Sequence, residues 1–508
     1  MAWPPDATPL FKLYAAREGR RLDHADPVAD QRRTLAYLLR RAAETRFGRD
    51  HGFNRLDGVE AFQGAVPLRR YEDFWPAYGA PHFPLLNNVI WPGRIPFFAV
   101  SSGTTSGETK YLPVSREMVA SNKRAALLTL VHELRCHRDA RPLAGKTFML
   151  GGSTALERLA PGVHAGDLSG IAAHTTPLWA RPYSFPPEHL ALEADWQRKI
   201  DGLAGAAPKH RIAAISGVPS WVQLLFERMA ELHGIDVEAA VPRLMPALRL
   251  YIHGGVAFAP YRPRFDTLLA GNGARTREVY PASEGFIAIQ DGDSGAGLRL
   301  ITDNGLFFEF IPTAQLDCAN PTRHWLATAE TGVDYAIALS SNAGLFAFVL
   351  GDTVRFVSKQ PPRILVTGRT SWTLSAFGEH VIGEELVTAV TAAAAAAGIE
   401  ITEFTVAPVF PGAGEGRGRH RFVLETAAEP STDLEAKLGR TVDDTLSREN
   451  EDYRVHRRGD VQLAAPEIVL VPPGRFTAWM ARRGKLGGQH KVPRVLDDAA
   501  ELRGLIDG

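Results

Sequence analysis

Ser101-Ser-Gly-Thr-Thr-Ser-Gly-Glu-Thr-Lys110, reached directly from the apolar stretch Ile-Pro-Phe-Phe-Ala-Val at positions 95–100, orders the reading of the rest of the chain. A short apolar strand that empties into a hydroxyl- and glycine-rich loop, followed by a helix that Ser115 can cap, gathers backbone N–H donors, Ser and Thr hydroxyls and a lysine around one small volume. Such a volume suits phosphate oxygens. The run is not a GxxxxGK[ST] loop, because Gly103 is followed five places later by Glu108. A Ser/Gly-rich surface turn has the same composition, so the run alone does not decide between the two.

Three segments further along the chain carry chemistry in the same kind of place. Tyr280-Pro-Ala-Ser-Glu-Gly285 follows Thr-Arg-Glu-Val, Leu350-Gly-Asp352 follows Ala-Gly-Leu-Phe-Ala-Phe-Val, and Gly368-Arg369-Thr370 follows Arg-Ile-Leu-Val-Thr. Strand ends are where α/β proteins put ligand-contacting groups. Four such ends, with hydroxyls, the carboxylates of Glu284 and Asp352 and the arginine Arg369, point to one nucleotide site.

Composition bounds the rest. A chain of 508 residues exceeds what one core supports, since single cores stop growing near ~250–300 residues, so at least two domains are expected. Lys plus Arg and Asp plus Glu each number 57, which leaves no global field to attract nucleic acid or an anionic membrane surface. Cys136 and Cys318 lie in unrelated contexts; they argue against a disulfide framework or a thiolate metal site and read as ordinary buried thiols of a cytoplasmic protein. The first residues contain no apolar targeting core, and the alanine run at 392–397 falls far short of the ~20 residues of a membrane helix. A cytoplasmic chain with neither nucleic acid nor membrane as partner is expected.

Periodicity organises the chain into a mixed α/β large domain. Leu35, Leu38, Leu39 and Ala42 share one face of an early helix expected to stop at Gly48, and a long helix is expected over 115–136. Residues 211–234 read as strand, turn and helix, with Pro219 at the helix start and Gly234 past its end. Residues 248–255 read as a strand that ends in Gly254-Gly255, where missing side chains would let a ligand pass close to backbone. Asp303-Asn-Gly305 reads as a hairpin turn, and further alternating strands up to 366 suggest a barrel-like part. Past Arg369 the texture becomes that of a small α+β unit, so the division expected is 1–370 and 371–508. His132-Glu-Leu-Arg-Cys-His137 imitates a zincin helix, but its second histidine is one position too far round to share a ligand face.

The motifs SSGTTSGETK, YPASEGF, LFAFVLGDTVRFV, GRTSWTLSAFGEHV and GQHKVPR are together similar to those of the GH-three family, the plant auxin-responsive acyl acid amido synthetases and their bacterial relatives, within the adenylate-forming superfamily. The resemblance runs from about residue 31 to Arg494. It implies a large N-terminal domain, a small mobile C-terminal domain, and an ATP- and Mg²⁺-dependent ligase that joins a small carboxylic acid to an amino acid through an acyl-AMP. A carboxylate must then attack the α-phosphorus of ATP while pyrophosphate departs, so positive groups and donors have to surround several oxygens at once.

The resemblance assigns roles residue by residue. Ser101, Ser102, Gly103, Thr104 and Thr105, with Lys110 behind them, would hold the β- and γ-phosphates. Tyr280 and Ala282 would lie near the adenine, Ser283 on the α-phosphate and Glu284 on Mg²⁺, a hard cation that a carboxylate suits. Asp352 would accept from both ribose hydroxyls, and Arg369 would stand near ribose and phosphate at the domain hinge. Lys491 matches the lysine that reaches from the small domain to the α-phosphate, with Lys485 as the alternative. The helix carrying Arg124 would line the acyl pocket together with His253, Gly254 and Gly255; the chemistry of an arginine there suits a bidentate clamp on the acid's carboxylate, with a solvated helix charge as the alternative. The chain departs from the plant pattern at Phe286, where tryptophan is usual, and at Ser375 and His380, where Asn and Lys are common. The acid and its acceptor are left open by these residues. An acyl-CoA synthetase with a thiol acceptor, and a nucleotide-binding protein without turnover, remain as alternatives.

Overall fold

The computed structural model describes residues 5–507 except 102–108, 153–154, 194–195, 257, 259–260, 294, 317, 371–372, 380, 412–416, 459–462, 484–491 and 497. The chain divides into two units, the larger ending at Thr370. An early amphipathic helix, Pro27–Ala42, begins at Asp26, whose carboxylate accepts from the N–H groups of Val28 and Ala29. Leu35, Leu38, Leu39 and Ala42 are buried as their spacing predicts. The helix ends at Ala42, earlier than expected; Gly48 lies inside a separate short helix, Arg46–Asp50, capped by the Thr45 hydroxyl. Buried Gln31 fastens the long helix to the strand beneath it, donating to the carbonyls of Thr302 and Leu306 and accepting from the N–H of Phe308.

A four-stranded sheet has the order β2-β1-β5-β4, with β1 at Phe97–Ser101, β2 at Lys110–Val114, β4 at Glu157–Ala160 and β5 at Val163–Gly166. β1 and β2 are antiparallel, Ser101 opposite Lys110. The hydroxyl-rich run therefore lies between two strands of a hairpin, and β2 stands between it and the helix. That helix, Arg116–Cys136, is capped as expected: the Ser115 hydroxyl accepts from Met118 N–H at 3.0 Å and donates to the Asn342 carbonyl at 2.6 Å.

The main sheet has twelve strands. β3 (Lys146–Met149), β6 (Ser184–Phe185), β7 (Ile212–Ser216), β8 (Leu250–His253) and β9 (Arg275–Ala282) form its parallel part, in the order β9-β8-β7-β3-β6. The helix Pro219–His233 makes the β7-to-β8 crossover and ends on Gly234 in the left-handed region. The antiparallel part continues from β9 through β10 (Gly285–Ile289), β11 (Leu298–Leu300), β16 (Pro362–Arg369), β15 (Phe348–Lys359), β14 (Asp334–Ser341), β12 (Leu306–Pro312) and β13 (His324–Trp325). This corrects the hairpin expected around Asp303-Asn-Gly305: β11 pairs with β10 and β16, while β12 pairs with β13 and β14. Leu350-Gly-Asp352 likewise lies inside β15 and not at a strand end.

The second unit is built on residues 371–508. Strands Glu403–Val409 and Arg419–Glu425 are antiparallel, and Glu467–Val471 adds in parallel. Phe476, Trp479, Met480, Leu496, Leu502 and Leu505 form a buried cluster with Ala407, Val423 and Val471. The Glu379 carboxylate is buried here against His420 at 2.8 Å and accepts from the N–H of Phe377 at 2.7 Å. Cys136 and Cys318 are both exposed, a correction to their reading as buried thiols. No helix among the described residues is long and apolar enough to cross a membrane.

Candidate active site

Four of the expected residues converge in the larger unit. β9 and β10 are joined by Ser283 and Glu284 alone, with Ala282 opposite Gly285 across the turn. Tyr280, near the end of β9, is buried and donates its hydroxyl to Oδ2 of Asp352 at 2.5 Å. Arg369 stands opposite Asp352 in the β15–β16 register, and its Nε meets Oδ1 at 2.9 Å. Gly351, with φ of +94°, breaks the regular course of β15 one residue before Asp352, and the Thr370 N–H closes the gap by donating to its carbonyl at 2.7 Å. Both Asp352 oxygens are thus met by donors, one neutral and one cationic.

Burial and the negative charge of Asp352 push the Tyr280 phenol well above its ordinary range, so it stays a donor. Glu284 is half-buried on the turn. Its carboxyl is pushed up to about 7, chiefly by burial with Asp352 adding to the shift, while its own backbone N–H, Arg369 and Lys110 pull the other way. Two carboxylates and two cations therefore share one electrostatic neighbourhood. Ala282 and Ser283 are half-buried beside Glu284.

The remaining expectations divide. Lys110 is buried and its ammonium meets the Glu72 carboxylate at 2.8 Å, a partner that no short-range pattern signals because it lies 38 residues away. The backbone of Ser101 closes β1 opposite Lys110. Ser102, Gly103, Thr104, Thr105, Lys491, Lys485 and His380 lie outside the described residues. His253 is buried at the end of β8, beside Glu278 of β9 in the register, with its ring 5.3 Å from that of Tyr251. A Cβ on Gly254 would lie 2.3 Å from the Val279 carbonyl oxygen. The close approach that Gly254 permits is thus to the protein's own β9 strand, a correction to its part in the expected passage for ligand, whereas a Cβ on Gly255 would meet nothing nearer than the Val218 side chain at 3.9 Å.

Arg124 is also corrected. Its two terminal nitrogens bond the Asp303 carboxylate at 3.1–3.2 Å and the Asp303 carbonyl at 3.0 Å, with Glu18 at 3.7 Å. The bidentate clamp exists, but it holds the turn after β11. In the zincin-like stretch, His132 is buried and held neutral, its pKa lowered to about 3 chiefly by burial. Glu133 is buried between Arg275 and Arg277. The described residues contain no cluster of three or more side chains suited to a metal ion.

The fold is shared with solved ligase structures. A solved structure of 2-hydroxyisobutyryl-CoA ligase, in complex with 2-HIB-AMP and CoA, matches over 94% of this chain and 90% of its own at 16% identity, with a TM-score of 0.56. A solved GH3.15 acyl acid amido synthetase matches over 94% of this chain and 92% of its own at 20% identity, with a TM-score of 0.58. Within that class the chain belongs to the GH3 family: the family's N-terminal domain matches residues 21–151, its central domain 299–369 and its C-terminal domain 384–500. Among curated relatives, a probable indole-3-acetic acid-amido synthetase, GH3.1 of Oryza sativa subsp. japonica, is 25% identical over 92% of this chain and 87% of its own length.

Proposed function

We propose that this protein is an ATP-dependent acyl acid amido synthetase, which activates a small carboxylic acid as acyl-AMP and transfers the acyl group to the amine of an amino acid. The observation that carries the reading is the convergence of Tyr280, Asp352 and Arg369 beside Glu284. An aspartate with two oxygens aimed between a phenol and a guanidinium suits vicinal ribose hydroxyls, and Arg369 adds fixed positive charge where phosphate would lie.

In the first half-reaction an oxygen of the acid attacks the α-phosphorus, the bond to the bridging oxygen breaks, and pyrophosphate leaves. Ser283 on the turn and Lys491 from the second unit are proposed to receive the charge that develops on the α-phosphate oxygens. In the second, the amine nitrogen attacks the acyl carbon, AMP leaves, and the nitrogen loses a proton.

Glu284 suits Mg²⁺: a single carboxylate is enough for an ion shared with ATP phosphates, and its pKa is raised chiefly by burial, with Asp352 adding to the shift, so a cation bound there would draw it back toward its ionised form. When bound, the ion would neutralise charge on the phosphates. Glu284 itself would orient them and give up its proton on loading.

A mass-spectrometric screen of mixed carboxylic acids with ATP, Mg²⁺, the twenty amino acids and coenzyme A tests the reading. Amide products with AMP and pyrophosphate are expected. Stoichiometric ADP, or thioesters in place of amides, would overturn it.

A further inference from the structure

The strand that leaves the hydroxyl-rich run is braced by a short helix, Tyr71–Phe74. Tyr71 is the strut: its hydroxyl accepts the Tyr111 N–H at 2.9 Å, and Trp75 stacks on it with ring centroids 5.5 Å apart at 12°. The Lys110 ammonium lies 5.0 Å over the Tyr71 ring and 2.8 Å from Oε1 of Glu72. Lys110 is 9% exposed, whereas the side chain of Glu72 is 34% exposed. A lysine has a long flexible stem that does not hold one direction by itself. Here the ring below and the carboxylate beside it leave its remaining donors a restricted field, and its charge reaches Glu284.

Fastening β2 to the helix does not require this ion pair. The Tyr71 hydroxyl bond and the Trp75 stack already do that, and a partly buried pair is seldom better for stability than an apolar pair of the same volume. What the pair adds is a cation held in place at the stem of the 102–108 segment.

We propose that Glu72 is a positioning residue for nucleotide binding, acting through Lys110: it aims the ammonium at the triphosphate of ATP. The inference rests on the functional reading above. Loss of the Glu72 charge should weaken ATP binding by roughly tenfold, the scale of one charged hydrogen bond, while leaving the acid's KM within about twofold.

The test is calorimetric titration of ATP with Mg²⁺ into the full chain, without acid, for wild type, Glu72→Gln, Glu72→Asp, Lys110→Met and the Glu72→Gln/Lys110→Met double variant. Glu72→Gln should bind about tenfold more weakly, Glu72→Asp should recover most of the loss, and the double variant should bind no more weakly than Lys110→Met alone. A Glu72→Gln affinity within about twofold of wild type, or a double variant whose loss is the product of the two single losses, overturns the proposal. Should Glu72→Gln fail to fold, Glu72→Asp and Lys110→Met decide: a tenfold loss in the second with near-normal binding in the first supports it, and any other pair of results overturns it. A wild type that shows this Glu72 dependence yet forms no acyl-AMP with any acid overturns the proposed function and leaves the role of Glu72 standing.

Discussion

The hydroxyl of Tyr280 meets Oδ2 of Asp352 at 2.5 Å, although β10, β11 and β16 stand between their strands in the sheet order. The main sheet must curl for β9 and β15 to face each other, and the curl makes the site. Asp352 keeps its second oxygen for Arg369, so the tyrosine and the arginine jointly fix the carboxylate's plane.

Tyr280→Phe should therefore weaken ATP binding by about tenfold to a hundredfold, since it removes a buried hydrogen bond to a charged group. Calorimetric titration measures it. Affinity equal to wild type would take the Tyr280 hydroxyl out of nucleotide recognition.

Glu284 should make nucleotide binding pH-dependent. A carboxylate must be ionised to hold a cation, so Mg²⁺-dependent ATP affinity should fall as pH drops through about 7, the value to which its pKa is raised, and Glu284→Gln should flatten the profile. The effect on stability has the opposite sense. The folded-state pKa lies above the ordinary 4.5, so the contribution is present below that value and lost as pH rises through about 7. Glu284→Gln should then melt about 2 °C above wild type at pH 8 and level with it at pH 4, checked by calorimetric scans of the nucleotide-free protein.

Arg124→Ala should cost about 1 kcal/mol of stability and leave the acid's KM within about twofold, because the guanidinium is already engaged by the Asp303 carboxylate. Thermal melts and initial rates check this. A tenfold rise in that KM at unchanged stability would return Arg124 to the acid site.

Lys491→Ala should reduce acyl-AMP formation by about 10²–10³ with ATP affinity within several-fold of wild type, the pattern of a group that acts on charge developing in the transition state. Pyrophosphate release and direct ATP binding measure the two quantities. A dead Lys485→Ala beside an active Lys491→Ala would reverse the assignment.

What the sequence determined by itself is local. The Ser115 cap, the crossover helix that ends on Gly234 and the strands on either side of it are all legible, because each rests on rules that act within a few residues. The motif segments pointed to one site, and four of their residues converge. Only the tertiary structure decided what each charge meets. Lys110 finds Glu72 from 38 residues away, Tyr280 finds Asp352 from 72, and Arg124 finds Asp303 from 179. Spacing along a chain does not encode such pairs, because the partner of a long charged side chain depends on which element is packed against it. Asp303-Asn-Gly305 shows the same limit: its composition asks for a hairpin, but β11 and β12 each gain more by pairing with strands from elsewhere in the sheet, and the turn is left to be held by an arginine.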